Sequence, residues 1–340
     1  MAKIAHLLDS SSYSGAEKIA IEIIENDNNN EAWYIAKEGT IRSILEERNE
    51  KFFLYTNFNE LKEFFEKESF DIIHCHDYKA SIKGAFLKSK VRISHIHNNS
   101  ITSKKVNIKT LLYLMSSLKF NKIIYVSKVT KEEFVFRKLL KNKSCVIPNW
   151  INKNERTCHE DLNRDIDILY IGRLSQEKNP KEIIRLSKAL QSRKSDLKVH
   201  IVGNGCLRDE LNDSIKTNDL ENNVYLHEFT DNPQRYMKRS KTLVIPSKWE
   251  GFGLVILEAM LNGAVVFGSC VGGIKDIIKN GENAFFYKEN DSEELLLNVI
   301  EHYDDYSELR KNALNCLESY ELATNTEKIY KLYREVLKEI

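Results

Sequence analysis

The sequence predicts an α/β protein with two doubly wound parallel sheets, one in each half of the chain. Short runs rich in Ile, Val, Phe and Tyr alternate with amphipathic segments of about ten or more residues, which is typical of βαβ units. The length of 340 residues favours two domains of about 150 residues each. A polar stretch at residues 152–164 has no strand pattern and predicts a linker between them.

The first domain is expected to cover residues 1–150. Its strands are predicted at 3–9, 32–37, 52–56, 71–76, 92–97, 122–127 and 144–148, and each is followed by a helical or turn segment.

The second domain is expected to cover residues 164–321, and residues 322–340 read as an amphipathic helix that packs on the first domain. Two open α/β sheets of this kind bind ligands beyond the carboxyl ends of their strands, so a cleft that both domains face is the expected active site. The second series of strands is predicted at 166–171, 198–202, 224–229, 242–246, 264–268 and 284–287, with helices at 180–193, 207–216, 254–261 and 292–303.

The charge balance separates two classes of partner. The 51 Lys and Arg against 50 Asp and Glu give a net charge of +1, which excludes nucleic-acid binding through overall charge. Residues 79–143, however, hold sixteen Lys and Arg against Glu132 and Glu133 alone, a net charge of +14. This segment predicts contact with an anionic membrane surface or a polyanionic partner, and the alternative is a set of scattered solvated lysines.

The cysteines and the first residues predict a cytoplasmic location. The six cysteines show no C-x-x-C spacing, and the chain does not begin with a charged and then apolar signal segment. No run approaches the roughly 18 apolar residues of a membrane span, so any membrane contact is expected to be peripheral.

The most informative motif spans residues 246–260, where a strand leads into a glycine loop and then a helix. Gly253 lets the backbone approach a ligand closely, and the helix that begins near Leu254 offers unpaired N–H groups to anionic oxygens. Glu250 in the loop and Glu258 one turn down the helix can flank one ligand, unless both are ordinary solvated carboxylates.

A second motif presents two cations across a turn after a predicted strand. Arg173 supplies a planar fork for phosphate and Lys178 a mobile point charge, a pair that suits a diphosphate. The glycine turn at residues 203–205 follows the next strand, but Arg208 stands where a dinucleotide fingerprint needs its last glycine. That turn is therefore interpreted as structural or as packing beside a nucleobase.

Two histidine pairs end neighbouring strands. His74 and His76, like His95 and His97, are two residues apart and therefore share one face of a strand. Without a carboxylate or H-E-x-x-H motif they predict no metal site. A hydrogen-bonding or proton-handling role is expected instead, and the alternative is a purely structural one.

Together these motifs resemble the retaining glycosyltransferases of family 4, two-domain enzymes of the GT-B fold that use nucleotide sugars. Glu250 and Glu258, with seven residues between them, resemble the family's two-glutamate signature. Residues 172–179 resemble its diphosphate-binding turn, and residues 203–205 and 272–274 resemble the glycine turns that follow.

The resemblance implies a role for each matching residue. Arg173 and Lys178 would bind the donor diphosphate, Glu258 would hold the ribose hydroxyls, and Glu250 would contact the transferred sugar. His97 would face that sugar, so the implied catalytic residues are Glu250, His97, Arg173 and Lys178. Further implied donor-binding residues are Gly15, Gly203, Asn204, Phe252, Gly253 and Leu254.

The sequence departs from the family pattern at three positions. Ser14 stands where a second glycine is common, Trp150 where a glycine usually follows the interdomain Asn149, and Asp276 where a Glu is frequent. The resemblance is strong across residues 165–287 and diffuse across the first domain, which implies that the second domain binds the donor and the first the acceptor.

The sequence therefore predicts a retaining glycosyltransferase that moves a sugar from a nucleotide-diphosphate donor to an acceptor hydroxyl, without a metal. The expected acceptor is a sugar or lipid-linked glycan in surface polysaccharide assembly. Two alternatives stay open: a sugar-nucleotide epimerase of the same architecture, and a non-catalytic sugar-binding protein.

Overall fold

The computed structural model describes residues 1–98, 100–153 and 163–339. The chain divides into two compact units, one formed by Met1–Trp150 with Leu322–Ile340 and the other by Ile151–Glu321. Most of the predicted linker at 152–164 lies outside the described residues.

In its described residues, the first unit contains a seven-stranded sheet in the order β3-β2-β1-β4-β5-β6-β7, and every paired neighbour is parallel. The seven predicted strands are confirmed, with ends that differ by a few residues. The strands are β1 (Lys3–Leu7), β2 (Glu31–Lys37), β3 (Phe52–Tyr55), β4 (Ile72–His76), β5 (Val91–Ile96), β6 (Lys122–Tyr125) and β7 (Ser144–Val146). The helices between them are α1 (Gly15–Glu25), α2 (Ile41–Glu47), α3 (Phe58–Glu68), α4 (Asp77–Gly84), α5 (Ile108–Ser117) and α6 (Lys128–Glu133).

The second unit repeats this architecture, and its described part holds a six-stranded parallel sheet in the order β10-β9-β8-β11-β12-β13. Its strands are β8 (Ile166–Ile171), β9 (Val199–Val202), β10 (Val224–His227), β11 (Ser240–Ile245), β12 (Val265–Ser269) and β13 (Phe285–Tyr287). Its helices are α7 (Lys181–Gln191), α8 (Arg208–Thr217), α9 (Gln234–Arg239), α10 (Leu254–Leu261), α11 (Ile274–Ile277), α12 (Glu293–Glu301) and α13 (Ser307–Cys316).

Both sheets are covered on two faces, which explains their continuous apolar runs. Strand β4 is buried along its whole length, and β8 is buried except at its last residue. Strands buried on both faces need apolar side chains at successive positions, because neither face meets water. The chain order of strand, helix and strand then keeps the carboxyl ends of neighbouring strands on one edge of each sheet.

The last helix, α14 (Leu322–Lys338), returns to the first unit. Its apolar face is buried at Ile329 and Val336, and the Tyr330 hydroxyl donates to the Ile23 carbonyl oxygen on α1 at 2.8 Å. The Trp150 indole N–H donates to the carboxylate of Glu22, also on α1, at 2.7 Å. Helix α1 is therefore held by residues that lie more than one hundred positions away in the chain.

Replacing Trp150 by Phe keeps an aromatic ring but removes the N–H that meets the buried Glu22 carboxylate. We expect a loss of about 1–3 kcal/mol in the free energy of unfolding, since a buried acceptor loses a hydrogen bond. Urea unfolding followed by circular dichroism measures it. The control is Trp33→Phe, whose indole N–H donates at 3.0 Å to the more exposed Glu31. Equal losses in both variants would contradict the anchoring role of Trp150.

Candidate functional site

Four loops meet at the carboxyl edge of the second sheet. They follow β9, β8, β11 and β12, which are consecutive neighbours in that sheet. The Lys248 backbone N–H donates to the Glu177 carbonyl oxygen at 2.8 Å, and so joins the loop after β11 to the loop after β8. The predicted motifs of the second unit therefore occupy one edge.

Two glycines allow the loops after β8 and β9 to pack backbone against backbone. A Cβ on Gly203 would lie 2.0 Å from the Gly172 carbonyl oxygen, and one on Gly205 would lie 2.3 Å from that of Leu174. Both glycines also have positive φ, 145° and 157°. The Leu174 N–H donates to the Asn204 carbonyl oxygen at 2.9 Å across the contact. The turn at 203–205 is thus fixed against the turn that carries Arg173.

Gly272 performs the same function for the Glu250 loop. A Cβ at Gly272 would lie 1.8 Å from the Glu250 carbonyl oxygen, which also accepts the Gly273 N–H at 3.0 Å. The positive φ of 48° at Gly272 favours glycine again. The glycine pair after β12 therefore holds the backbone of Glu250.

The two predicted cations differ in their surroundings. The Lys178 ammonium lies 2.5 Å from the Glu250 carboxylate, and both side chains are largely buried. The Arg173 side chain is 63% exposed, and its guanidinium lies 3.5 Å from Glu177. An ammonium has three N–H donors and Glu250 uses one of them.

Tyr170, which sequence reasoning missed, fixes the peptide of Arg173. Its hydroxyl donates to the Arg173 carbonyl oxygen at 2.9 Å. Burial, and then the negative charge of Glu250, raise the pKa of Tyr170, so the hydroxyl keeps its proton. A tyrosine at the end of a buried strand gives no sequence signal of this contact, which depends on the turn that follows.

Helix α10 begins at Leu254 as predicted, with Gly253 as its N-cap at a φ of 98°. Because glycine has no side chain, Gly253 cannot cap the first N–H groups of the helix with a side-chain oxygen. Glu258 lies on α10 and is partly buried, while Phe252 buries its ring against Tyr320 with centroids 5.7 Å apart. Phe252 can therefore offer a ligand its backbone and not its ring.

In the first unit, Gly15 is exposed at the first position of α1, an eleven-residue helix. Its N-cap Ser14 makes no side-chain cap and instead donates its hydroxyl to the buried Glu17 carboxylate at 2.5 Å. The serine that replaces the usual glycine therefore has a structural partner, and Gly15 itself stays exposed.

The histidine pairs lie in one buried cluster that is larger than the sequence predicts. The strand registers place His6 opposite His74 and His76 opposite His95. All five rings are buried, with neighbouring centroids 4.1–5.7 Å apart. They belong to His6 on β1, His74 and His76 on β4, His95 on β5, and His97 just after β5.

Burial keeps these imidazoles neutral. It lowers the pKa of His6 and of His97 to about 3, although the Asn149 side chain raises the pKa of His97 in part. Asp77, which the sequence analysis also missed, shows the opposite shift, because burial raises its pKa to about 6. The backbone N–H groups of His97 and Asn98 oppose that shift, since they donate to its carboxylate at 2.7 and 3.0 Å. Asp77 has a φ of 68° and holds the backbone of His97.

Two groups in this cluster satisfy the distances of a metal site. Ring nitrogens of His6, His74 and His76 lie within 4.8 Å of one another, and so do those of His76, His95 and His97. The rings already form hydrogen bonds with one another through some of these nitrogens, which a metal ion would have to displace. That these histidines bind no metal therefore stays a prediction.

Comparisons with known proteins identify the class. The chain matches the family models "Glycosyl transferases group 1" over residues 153–315 and "Glycosyltransferase Family 4" over residues 28–155. It is 30% identical to an uncharacterised glycosyltransferase of Methanocaldococcus jannaschii, over 79% of this chain and 77% of that protein. It is 24% identical to the UDP-Gal:alpha-D-GlcNAc-diphosphoundecaprenol alpha-1,3-galactosyltransferase of Escherichia coli, over 98% of this chain and 97% of that enzyme. The structure of Anabaena Alr3699/HepE in complex with UDP-glucose matches with a TM-score of 0.87 at 20% identity, over 98% of this chain and all of that chain.

Two parallel α/β units of this topology form the GT-B fold. The chain belongs to the glycosyl transferases group 1, that is, to glycosyltransferase family 4. Among the described residues, no helix is both long enough and apolar enough to cross a bilayer.

The buried histidines predict that the first unit loses stability in acid. A histidine with a folded pKa of about 3 and an unfolded pKa of 6.5 takes up a proton on unfolding, so its stabilising effect is complete above pH 6.5 and declines as the pH falls toward 3. At pH 5 this costs about 2 kcal/mol for each such histidine. Protonation of Asp77 in the folded state returns only about 1 kcal/mol there, so the histidines decide the sign.

Urea midpoints at pH 7.5 and pH 5 measure this effect. The His6→Phe variant removes one titrating ring and should reduce the difference between the two midpoints, whereas His302→Gln at an exposed position should not. Equal stability of the wild-type chain at both pH values would contradict the buried, neutral state of the cluster.

Proposed function

We propose that this protein transfers a sugar from a nucleoside-diphosphate donor to an acceptor hydroxyl, with retention of the anomeric configuration. The observation that carries the proposal is the Lys178–Glu250 ion pair, held by interlocked glycine loops beside the start of α10 in a chain of glycosyltransferase family 4. Relatives of this family include an enzyme named for a UDP-sugar donor, and a structural neighbour is complexed with UDP-glucose.

The second unit is proposed to bind the donor. Breaking the glycosidic C–O bond places negative charge on the diphosphate and positive charge on the sugar, so cations and helix amides stabilise the transition state more than the ground state. Arg173 and Lys178 supply the cations, and Gly253 and Leu254 the amides at the start of α10. Their combined charge serves where other enzymes use a divalent ion, so activity without added metal is expected.

The remaining predicted residues complete the proposed donor contacts. Glu258 holds the ribose hydroxyls, Glu250 contacts the transferred sugar, and the turn with Gly203 and Asn204 packs beside the donor. Gly15 and His97 of the first unit are proposed to act on the diphosphate and the sugar respectively. We assign no enzymic nucleophile, because the family resemblance favours attack on the same face, with the donor phosphate accepting the acceptor's proton.

Product analysis tests the reaction class. Incubation with a panel of nucleotide sugars and a lipid-linked glycan acceptor should release free nucleoside diphosphate and extend the acceptor. A new nucleotide sugar without free diphosphate would support the epimerase alternative, and binding without any product would support a sugar-binding protein.

Removing either proposed cation should abolish donor binding. A ligand that binds the folded chain raises its melting temperature according to its affinity. We expect Arg173→Ala and Lys178→Ala each to remove the thermal shift produced by the best nucleotide sugar. The matched control is Lys181→Ala, since Lys181 is exposed and forms an ion pair with Glu210 outside the four loops. An unchanged shift in both Arg173 and Lys178 variants would overturn their assignment.

The acceptor is proposed to be a lipid-linked glycan that the first unit approaches at an anionic membrane. The name of the Escherichia coli relative specifies a diphosphoundecaprenol acceptor. The basic segment at residues 79–143 also exposes large apolar side chains, among them Ile108 and Leu118, each 76% exposed. The exposed apolar residues on and beside α5 are Val106, Ile108, Leu111, Leu112, Met115 and Leu118.

A basic groove lies in the same unit as this apolar face. Its volume is about 360 Å³, and it is lined chiefly by cations: Lys128, Lys131, Arg137, Lys138 and Lys141, with Glu132 and Val146. Lys143, just beyond it, donates to the carbonyl oxygens of Ser117 and Phe120 at 3.0 Å each and so ties the groove segment to the end of α5. Apolar side chains flanked by cations suit a bilayer with anionic headgroups, since each cation near such a surface contributes about 1 kcal/mol. We therefore propose that the protein acts at the inner face of the membrane.

Met115→Glu should weaken binding to vesicles that contain anionic phospholipid. Met115 is 68% exposed, and losing its burial in the bilayer should lower the partition coefficient by about tenfold or more. Phe229→Glu is the control, because Phe229 is 62% exposed but belongs to the second unit. Vesicle sedimentation at low and high salt measures the effect; salt-independent binding, or none by the wild-type chain, would refute the membrane contact.

A further inference from the structure

The histidine cluster contains two separate hydrogen-bond networks. In the first, His6 Nδ1 lies 3.1 Å from His76 Nε2, and His76 Nδ1 lies 2.9 Å from His97 Nε2. In the second, the Tyr333 hydroxyl lies 2.5 Å from His74 Nδ1, and His74 Nε2 lies 3.2 Å from His95 Nδ1. No hydrogen bond among the described residues joins one network to the other.

A proton count allows only two arrangements of the ring N–H groups in the first network. A neutral imidazole has one N–H and one lone pair, so His76 donates in one of its two hydrogen bonds and accepts in the other. The three rings must therefore all donate in the same direction. One terminal nitrogen, either His97 Nδ1 or His6 Nε2, is left with an outward N–H, and the other terminal nitrogen is left with a lone pair.

The surroundings of the two ends favour the direction toward His97. Both terminal nitrogens are buried and have no hydrogen-bond partner among the described residues, and a buried N–H without a partner is costly. Beside His97 lies the Asn149 side chain, whose amide oxygen is buried, has no partner within residues 1–98, 100–153 and 163–339, and can accept an N–H. His97 is also the most exposed residue of the three, at 8% against 3% for His76 and 1% for His6, although its Nδ1 atom is itself buried.

We propose that His6 and His76 are positioning residues that hold His97 as the Nδ1–H tautomer, with that N–H directed to a neutral oxygen acceptor, which is the Asn149 side-chain oxygen or an oxygen that displaces it. His76 Nδ1–H donates to His97 Nε2, and His6 Nδ1–H donates to His76 Nε2. His97 then acts as a hydrogen-bond donor of fixed direction and not as a proton shuttle. Its action on a donor sugar oxygen rests on the proposed function, whereas the tautomer itself does not.

The tautomer is measured directly by nitrogen NMR of the full chain labelled with ¹⁵N-histidine at pH 7.5, with the His97 signals assigned by their loss in His97→Gln. The wild-type chain should show His97 protonated at Nδ1. His97 protonated at Nε2 in the wild-type chain would overturn the proposal without any variant.

Variants separate positioning from packing. His76→Phe should convert His97 into a mixture of tautomers, whereas His76→Asn, whose amide N–H replaces the Nδ1 donor, should restore the Nδ1–H form. The matched control is His74→Phe, because His74 is also buried but belongs to the second network. An unchanged His97 tautomer in folded His76→Phe, or the same change in His74→Phe, would overturn the proposal.

Kinetics extends the test to the reaction. With the best nucleotide sugar, His76→Phe should lower kcat/KM by about tenfold, the value of one hydrogen bond, and His76→Asn should recover most of it. Should the wild-type chain transfer no sugar, the proposed function fails while the tautomer measurement still stands.

Discussion

Close backbone packing between neighbouring loops of the second unit is the constraint on which the candidate donor site depends. At Gly203 and Gly272 a Cβ would lie 2.0 and 1.8 Å from a carbonyl oxygen of the next loop, closer than any side chain can be placed. These contacts fix the backbones of Gly172 and Glu250, and the bond from Tyr170 fixes that of Arg173. A ligand at this edge would therefore meet backbone groups whose positions are set before it arrives, which reduces the ordering that binding requires.

The electrostatics of the same edge follow from this packing. Lys178 and Glu250 neutralise each other at 2.5 Å, so a cation and a carboxylate can remain largely buried together. A diphosphate would use the N–H donors of Lys178 that Glu250 does not occupy, and the carboxylate would stay close to the sugar. One ion pair thus accounts for two proposed roles, attraction of the leaving group and contact with the group that is transferred.

Much of this arrangement could be predicted from the sequence, because the signals are local. Buried parallel strands require apolar runs, and the strands of both sheets were predicted within a few residues. The start of α10 followed from Gly253 and Leu254. The pairing of Lys178 with Glu250 could not be predicted, since it joins loops 72 residues apart and the resemblance assigns the two residues to different parts of the donor.

The histidine cluster shows the same limit more clearly. Spacing of two residues placed His74 with His76 and His95 with His97 on common strand faces, and the structure confirms both pairs. The inclusion of His6 depends on the strand order β1-β4-β5 and on its register with His74. Tyr333 joins from a helix 259 residues beyond His74. Neither contact has a period or a motif that a single sequence can show.

A crystal structure of the chain with a bound nucleoside diphosphate tests the central claim most directly. We expect the phosphates to lie within hydrogen-bonding distance of Arg173, Lys178 and the first N–H groups of α10, with Glu250 still beside Lys178. A diphosphate bound away from the four loops, with the Lys178–Glu250 pair untouched, would contradict it.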